Sequence, residues 1–250
     1  MIEALALLGS YVDGATVRRA DGVAIIATGL PIVLFNQVIV EEGIATSTTV
    51  AAAVEVMRER GSRFVVNLRV GPDDRFVGLM GELGLAPMSE RPWLPGMALH
   101  PMPTEPALAD LPGHEIRHVT DKAGLEDHIS TASMGFDLPE EILRPVMVAD
   151  LFGHAGVAIY VGYTDGEPVS AGLGMRTGRT VGVFNIATHP SARGRGYGAA
   201  MTRRVAADGA AAGCDVATLQ ASEMRRPIYE RLGYQTVVEY MAYIEPPPLD

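Results

Sequence analysis

The sequence predicts an α/β fold, a mixed and mostly antiparallel sheet flanked by helices, built twice in succession. Three observations predict it. From Glu115 to Ile244 strand-like and helix-like runs follow in the order β-α-α-β-β-β-α-β-α-β, as expected of a mixed sheet with helices on its faces. Prolines at 101, 103, 106 and 112 separate this region from what precedes it, since such spacing admits neither a helix nor a central strand. The two halves also echo each other. Phe35-Asn36 and Phe184-Asn185 lie 149 apart (184 − 35), and so do Leu83-Gly84 and Leu232-Gly233 (232 − 83). One offset across that span, with the element order preserved, points to a duplicated unit. The expected domains are residues 1–105 and 113–250.

The elements follow in order. Residues 1–9 are apolar but contain Glu3 and no basic start, which argues against a signal peptide. Val23 to Val40 carries no charge and approaches the length of a membrane span. Gly29-Leu30-Pro31 breaks it and Asn36 and Gln37 interrupt it, so two buried strands joined by a turn are expected. Thr49 to Arg60 reads as helix, Phe64 to Arg69 as strand and Asp74 to Leu83 as helix. Beyond the linker, Glu115 to Asp121 reads as a short strand. Ala123 to Phe136 and Pro139 to Phe152 have helical spacing, with Pro139 suited to a first turn. Val157 to Thr164 and Val169 to Met175 flank Asp165-Gly166, a hairpin signal. Thr180 to Thr188 is a strand, Ala199 to Ala212 a helix, and Val216 to Gln220 a strand. Arg226 to Leu232 is a short helix ending at Gly233, and Gln235 to Ile244 the final strand.

Composition narrows the function. At 48% apolar and 20% charged residues, the chain can bury a core without disulfides. Its single cysteine, Cys214, excludes an internal disulfide and a cysteine metal cluster, which fits a reducing, cytoplasmic compartment. Cys214 reads as a small core residue rather than a nucleophile, because no histidine partner is identifiable. None of the six histidines falls in an H-E-x-x-H pattern, and His114 and His118 lie in a strand-like run, so no metal site is expected. A net charge of −10 repels phosphate backbones and attracts cationic amines. Neither nucleic acid nor membrane is an expected partner.

The most informative stretch runs from Phe184 to Ala200. A strand ends at Pro190, glycines follow at 194, 196 and 198, and a helix begins. Glycine lets backbone approach a ligand and adopt positive φ. The unpaired N–H groups at the helix start, reinforced by the helix dipole, then form an anion site suited to a pyrophosphate. Arg193 and Arg195 add fixed cations. The spacing G-x-G-x-G is not the dinucleotide fingerprint G-x-G-x-x-G, and no lysine follows as a nucleotide-hydrolase loop requires. Gly172 and Gly174 lie inside a strand and read as packing features.

Arg193–Gly198, R-G-R-G-Y-G, resembles the Q/R-x-x-G-x-G/A signature of the GNAT superfamily of acyl-CoA-dependent N-acyltransferases, with Arg193, Gly196 and Gly198 in its defining positions. Ile186 to Pro190 resembles the family's V-x-V-x-P strand end, and Pro227 to Tyr234 its short helix carrying Y-x-x-x-G-[FY]. The resemblance spans residues 113–244 and includes the element order. It implies the GNAT fold, acetyl-CoA as co-substrate, no metal, and acetyl transfer to a primary amine of a small molecule or peptide by direct attack in a ternary complex. By the same resemblance, backbone groups of Ile186, Ala187 and Thr188 pair with the pantetheine arm like an added strand. Amides of Arg193, Gly194, Arg195, Gly196, Tyr197, Gly198 and Ala199 hold the pyrophosphate. Tyr229 protonates the departing thiolate, a role a neutral phenol can fill.

Two features depart from the family. Enzymes of this family often use a carboxylate base near the strand before the turn, where this chain has Phe184 and Asn185. Glu223 is the first alternative and His189 the second, although solvation of Glu223 and capping or packing of His189 are the plainer readings. Tyr234 is a second phenol candidate. In the first half, Ile44, Ser47, Thr49 and Met80 stand where the offset places Arg193, Gly196, Gly198 and Tyr229. Residues 1–105 are therefore expected to form a degenerate GNAT-like domain without a coenzyme site. Two alternatives stay open: a non-catalytic acyl-CoA-binding or sensing module, and an acidic protein that holds a cationic peptide.

Overall fold

The computed structural model describes residues 2–41, 43–92, 94–102 and 111–246. Most of the expected linker, residues 103–110, lies outside them. In chain order the first half holds α1 (Ile2–Ser10), β1 (Thr16–Ala20), β2 (Val23–Ala27), β3 (Asn36–Val40), α2 (Ser47–Glu59), β4 (Val65–Arg69), α3 (Val77–Glu82), β5 (Ala86–Pro87) and β6 (Gly96–Leu99). The second holds β7 (His114–His118), α4 (Lys122–Phe136), α5 (Glu140–Leu143), β8 (Val157–Thr164), β9 (Glu167–Thr177), β10 (Thr180–Thr188) and α6 (Tyr197–Ala211). It continues with β11 (Val216–Gln220), α7 (Arg226–Arg231), β12 (Gln235–Val238) and β13 (Tyr240–Ile244).

These elements form two mixed sheets. Among the described residues one runs β1-β2-β3-β4-β13-β5 and the other β12-β6-β11-β10-β9-β8-β7. The two orders match strand for strand, with β7 the extra edge. Each begins with a hairpin closed by an Asp-Gly pair in which both residues have positive φ, Asp21 (51°) and Gly22 (78°) in one, Asp165 (54°) and Gly166 (86°) in the other. That is the turn whose twist suits two adjacent strands. Each then carries one parallel pair, β3 with β4 and β10 with β11. The 149 offset carries α3 onto α7 residue for residue (77 + 149 = 226; 82 + 149 = 231). The duplication expected from two dipeptides is therefore present in the strand order, the shared hairpin and parallel pair, and the helix bounds.

The strand ownership corrects the expected boundaries of 1–105 and 113–250. One compact unit comprises Met97–Gln235; the other comprises Ile2–Gly96 together with the segment from Thr236. Strand β13, last in sequence, pairs with β4 from Tyr240↔Arg69 to Tyr243↔Val66. Its Tyr243 is buried with Val38, Val66, Met57 and Met80. Strand β6, which ends the first half, lies in the seven-stranded sheet. The final strand expected over Gln235–Ile244 is accordingly two strands, interrupted at Glu239 and belonging to different sheets. The helix expected over Pro139–Phe152 is also shorter: α5 stops at Leu143 and a 3₁₀ turn follows at Ala149–Gly153. Pro145 explains this, since its ring removes a donor and clashes with the preceding turn.

Alternation along β10 places the helices of the second unit. Ile186 packs with the core shared by Val183, Met201 and Val205 of β10 and α6. The next residue, Ala187, meets α4, where a Cβ on Gly135 would lie 2.8 Å from the Ala187 Cβ and 3.1 Å from Thr188 N. Successive strand residues face opposite ways, so α6 and α4 cover opposite faces of the sheet.

Candidate active site

Strand β10 is paired along its whole length on one side only. Toward β9 the register runs from Thr180↔Thr177 to Thr188↔Ser170. Toward β11 the parallel register runs from Thr180↔Val216 to Gly182↔Thr218 and goes no further. The two parallel strands part there, leaving one backbone edge of residues 183–188 without a strand beside it among the described residues. The β9–β10 register shifts between Phe184 and Ala187, and Asn185 within that bulge has φ 54°. An extra residue of this kind bends a strand and sharpens its twist.

The chain then passes through a 3₁₀ turn at Pro190–Ala192 into the glycines. Gly194 and Gly196 have φ 79° and 87°, conformations that L side chains rarely adopt. Gly196 is the N-cap of α6 and provides no side-chain cap. Among the described residues no backbone N–H from Gly194 to Ala199 has a partner, and the first bond of the helix is Ala200 N to Gly196 O at 3.0 Å. Six amides without a partner among the described residues therefore lie at or just before the positive end of a fifteen-residue helix. Arg195 is exposed. Arg193 spends one donor on Gly135 O, 2.9 Å away at the end of α4, so part of its guanidinium ties the turn to the fold. The Tyr197 ring is buried against His114, with centroids 4.3 Å apart.

The expected catalytic residues separate. Tyr229 on α7 is half-buried, and burial raises its phenol pKa, with Arg225 opposing. It stays protonated at neutral pH, as a proton donor must. Tyr234 lies edge-on to it at 6.1 Å but is fully buried, its hydroxyl sealed in without a partner. Glu223 is exposed and lies 3.7 Å from Arg226. His189 caps the 3₁₀ turn by accepting from Ser191 N. Solvation and capping, the plainer readings of Glu223 and His189, agree with these positions.

One residue of the site has no expected role in the sequence. His128 of α4 is wholly buried. Its Nδ1 lies 3.0 Å from Tyr160 O, and its Nε2 lies 2.8 Å from Asn185 Nδ2. Desolvation lowers its pKa to about 4, so the ring is neutral. The available signal was its place on the buried helix face with Leu125, Ile129 and Ala132. Its partner, 57 residues away, is set by the fold.

The corresponding end of α2 is built differently. Thr46 caps it in a reciprocal pair: Thr49 N donates to Thr46 Oγ1 at 3.2 Å and Thr46 N to Thr49 Oγ1 at 2.9 Å. Ile44 is exposed and Met80 is core. The chain's own hydroxyls occupy amides that are bare on α6. A separate cavity of about 380 Å³ is lined by His118, Arg176, Arg204 and Asp208 at the start of β10 and the end of α6, away from the glycine turn. Among the described residues no group of three or more His, Cys, Asp or Glu could hold a metal. No helix there is long and apolar enough to cross a membrane.

Residues 155–236 match the model of the acetyltransferase (GNAT) domain. No curated protein matches the sequence. Among solved structures, a GCN5-related N-acetyltransferase from Kribbella flavida superposes with a TM-score of 0.70 at 19% identity, over 99% of this chain and 96% of that one. A GCN5-related N-acetyltransferase from Sphaerobacter thermophilus gives 0.66 at 16% identity, over 95% and 84%. A tandem GNAT protein from the clavulanic acid biosynthesis pathway gives 0.65 at 13% identity, over 98% and 89%. At such identities the likeness is one of fold, and it extends across both units.

Proposed function

We propose that this chain is an N-acetyltransferase of the GNAT superfamily that moves the acetyl group of acetyl-CoA onto a primary amine, a reading supported by the GNAT-domain match over residues 155–236 and the shared fold. The observation that carries this reading is the run of unpartnered amides from Gly194 to Ala199 beside the strandless edge of β10. The amides suit a pyrophosphate, and the edge suits the amide-bearing pantetheine arm along Ile186, Ala187 and Thr188. Arg195 adds a cation at the turn. The amine nitrogen attacks the thioester carbon, the C–S bond breaks, and Tyr229 gives its proton to the departing thiolate. Residues 183–188 contain no carboxylate, so the proton released by the amine leaves to solvent. Positioning and polarisation of the thioester carbonyl by a strand amide carry most of the acceleration. The first unit, whose matching helix end is self-capped, binds no coenzyme in this reading.

That same lack of a base favours the alternative of an acyl-CoA-binding protein without turnover. One experiment separates the two: thiol release from acetyl-CoA with primary amines, alongside calorimetry of CoA binding. The Arg195→Glu variant should weaken CoA by roughly tenfold or more, the scale of a lost charge-assisted contact replaced by repulsion. Unchanged affinity would remove the glycine turn from the coenzyme site. Binding without thiol release for any amine would favour the alternative.

A further inference from the structure

Asn185 is held from behind, and the order of bonds fixes which end of its amide is held. The carbonyl of Tyr160 can only accept, so the His128 Nδ1 that faces it carries a proton. The ring is buried and neutral, so Nε2 is a bare lone pair and must accept. The Asn185 atom 2.8 Å from it is therefore the amide nitrogen. The amide oxygen is the free end. It has no partner among the described residues and is not among the polar atoms sealed from solvent.

Its position along β10 gives that oxygen a use, on the reading that the cleft holds acetyl-CoA. With the pyrophosphate at Gly194–Ala199 and the arm running back along Thr188, Ala187 and Ile186, the thioester falls beside Asn185. We propose that Asn185 binds the acceptor: its Oδ1 accepts an N–H of the attacking amine, and His128 is the positioning residue that keeps the amide turned that way. One N–H held by Oδ1 orients the nitrogen lone pair toward the thioester carbon. An amide takes no proton, so Asn185 orients the amine without acting as its base.

The competing role for Asn185 is backbone alone, since asparagine tolerates φ near 54° better than most residues. Asn185→Gly separates the two, because glycine adopts that φ freely. The full-length chain is assayed with acetyl-CoA and benzylamine, tyramine, putrescine and lysine as probe acceptors. In Asn185→Gly the KM of the best acceptor should rise roughly tenfold, while CoA affinity by calorimetry and the KM for acetyl-CoA stay within about twofold. His128→Gln should give the same amine defect, and the double variant should add nothing to either single one. If His128→Gln does not fold, Asn185→Gly alone decides. An unchanged amine KM overturns the proposal and leaves the acetyltransferase reading intact. So does a matching loss of CoA affinity, which would assign Asn185 to the coenzyme cradle. A wild-type chain that binds CoA and acetylates none of the four amines overturns both.

Discussion

At the scale of single residues, His128 couples folding to pH. Its folded pKa is about 4 against 6.5 for the free side chain, because burial penalises the charged ring. Between these values the unfolded chain binds a proton that the folded chain does not, so stability rises with pH across that window. The contribution is fully present above pH 6.5 and is lost as pH falls toward 4, amounting to about 3 kcal/mol. Urea unfolding at pH 4.5 and 7 should show a smaller pH difference for His128→Gln than for the wild type; an equal difference would mean the ring is solvated. The sequence displayed the glycines of the coenzyme turn because they encode a local backbone conformation. It did not display the His128–Asn185 bond, which depends on where a helix lands on a strand.

At the scale of elements, the two matched helix ends show opposite treatments of one problem. The first amides of any helix lack internal acceptors. Helix α2 answers with Thr46 and Thr49, whereas α6 begins on bare Gly196. Thr46→Ala should therefore destabilise the first unit by about 1 kcal/mol, read as a lower urea midpoint with unchanged CoA affinity; a fall in CoA affinity would link α2 to the coenzyme site. Element types were readable because period-2 and helical spacings are local. The strands Val157–Thr164, Thr180–Thr188 and Val216–Gln220 have the expected bounds. The failures lie where one residue overrides a pattern, at Pro145 and at Glu239.

At the scale of the whole molecule, duplication was legible and strand ownership was not. A strand's apolar residues say that it is buried, and nothing local says in which sheet. Tyr243 makes the consequence measurable. Its replacement in Tyr243→Ala lies at the C-terminal end but should destabilise the unit of residues 2–96 by about 3–5 kcal/mol, as a buried aromatic truncation does. Hydrogen exchange should report it as lost protection in β3 and β4, and loss confined to β10 and β11 would contradict the strand assignment.

The exchanged strand also sets a schedule for synthesis. Residues 2–96 leave the ribosome with a gap between β4 and β5, and the strand that closes it, Tyr240–Ile244, is translated after the whole second unit. Until then Val66 and Leu68 border an unfilled sheet edge, the kind of surface that invites pairing with other chains. The first unit is thus finished only after the whole of the second unit has been made. A product truncated before Tyr240 carries an open edge in its first-made sheet.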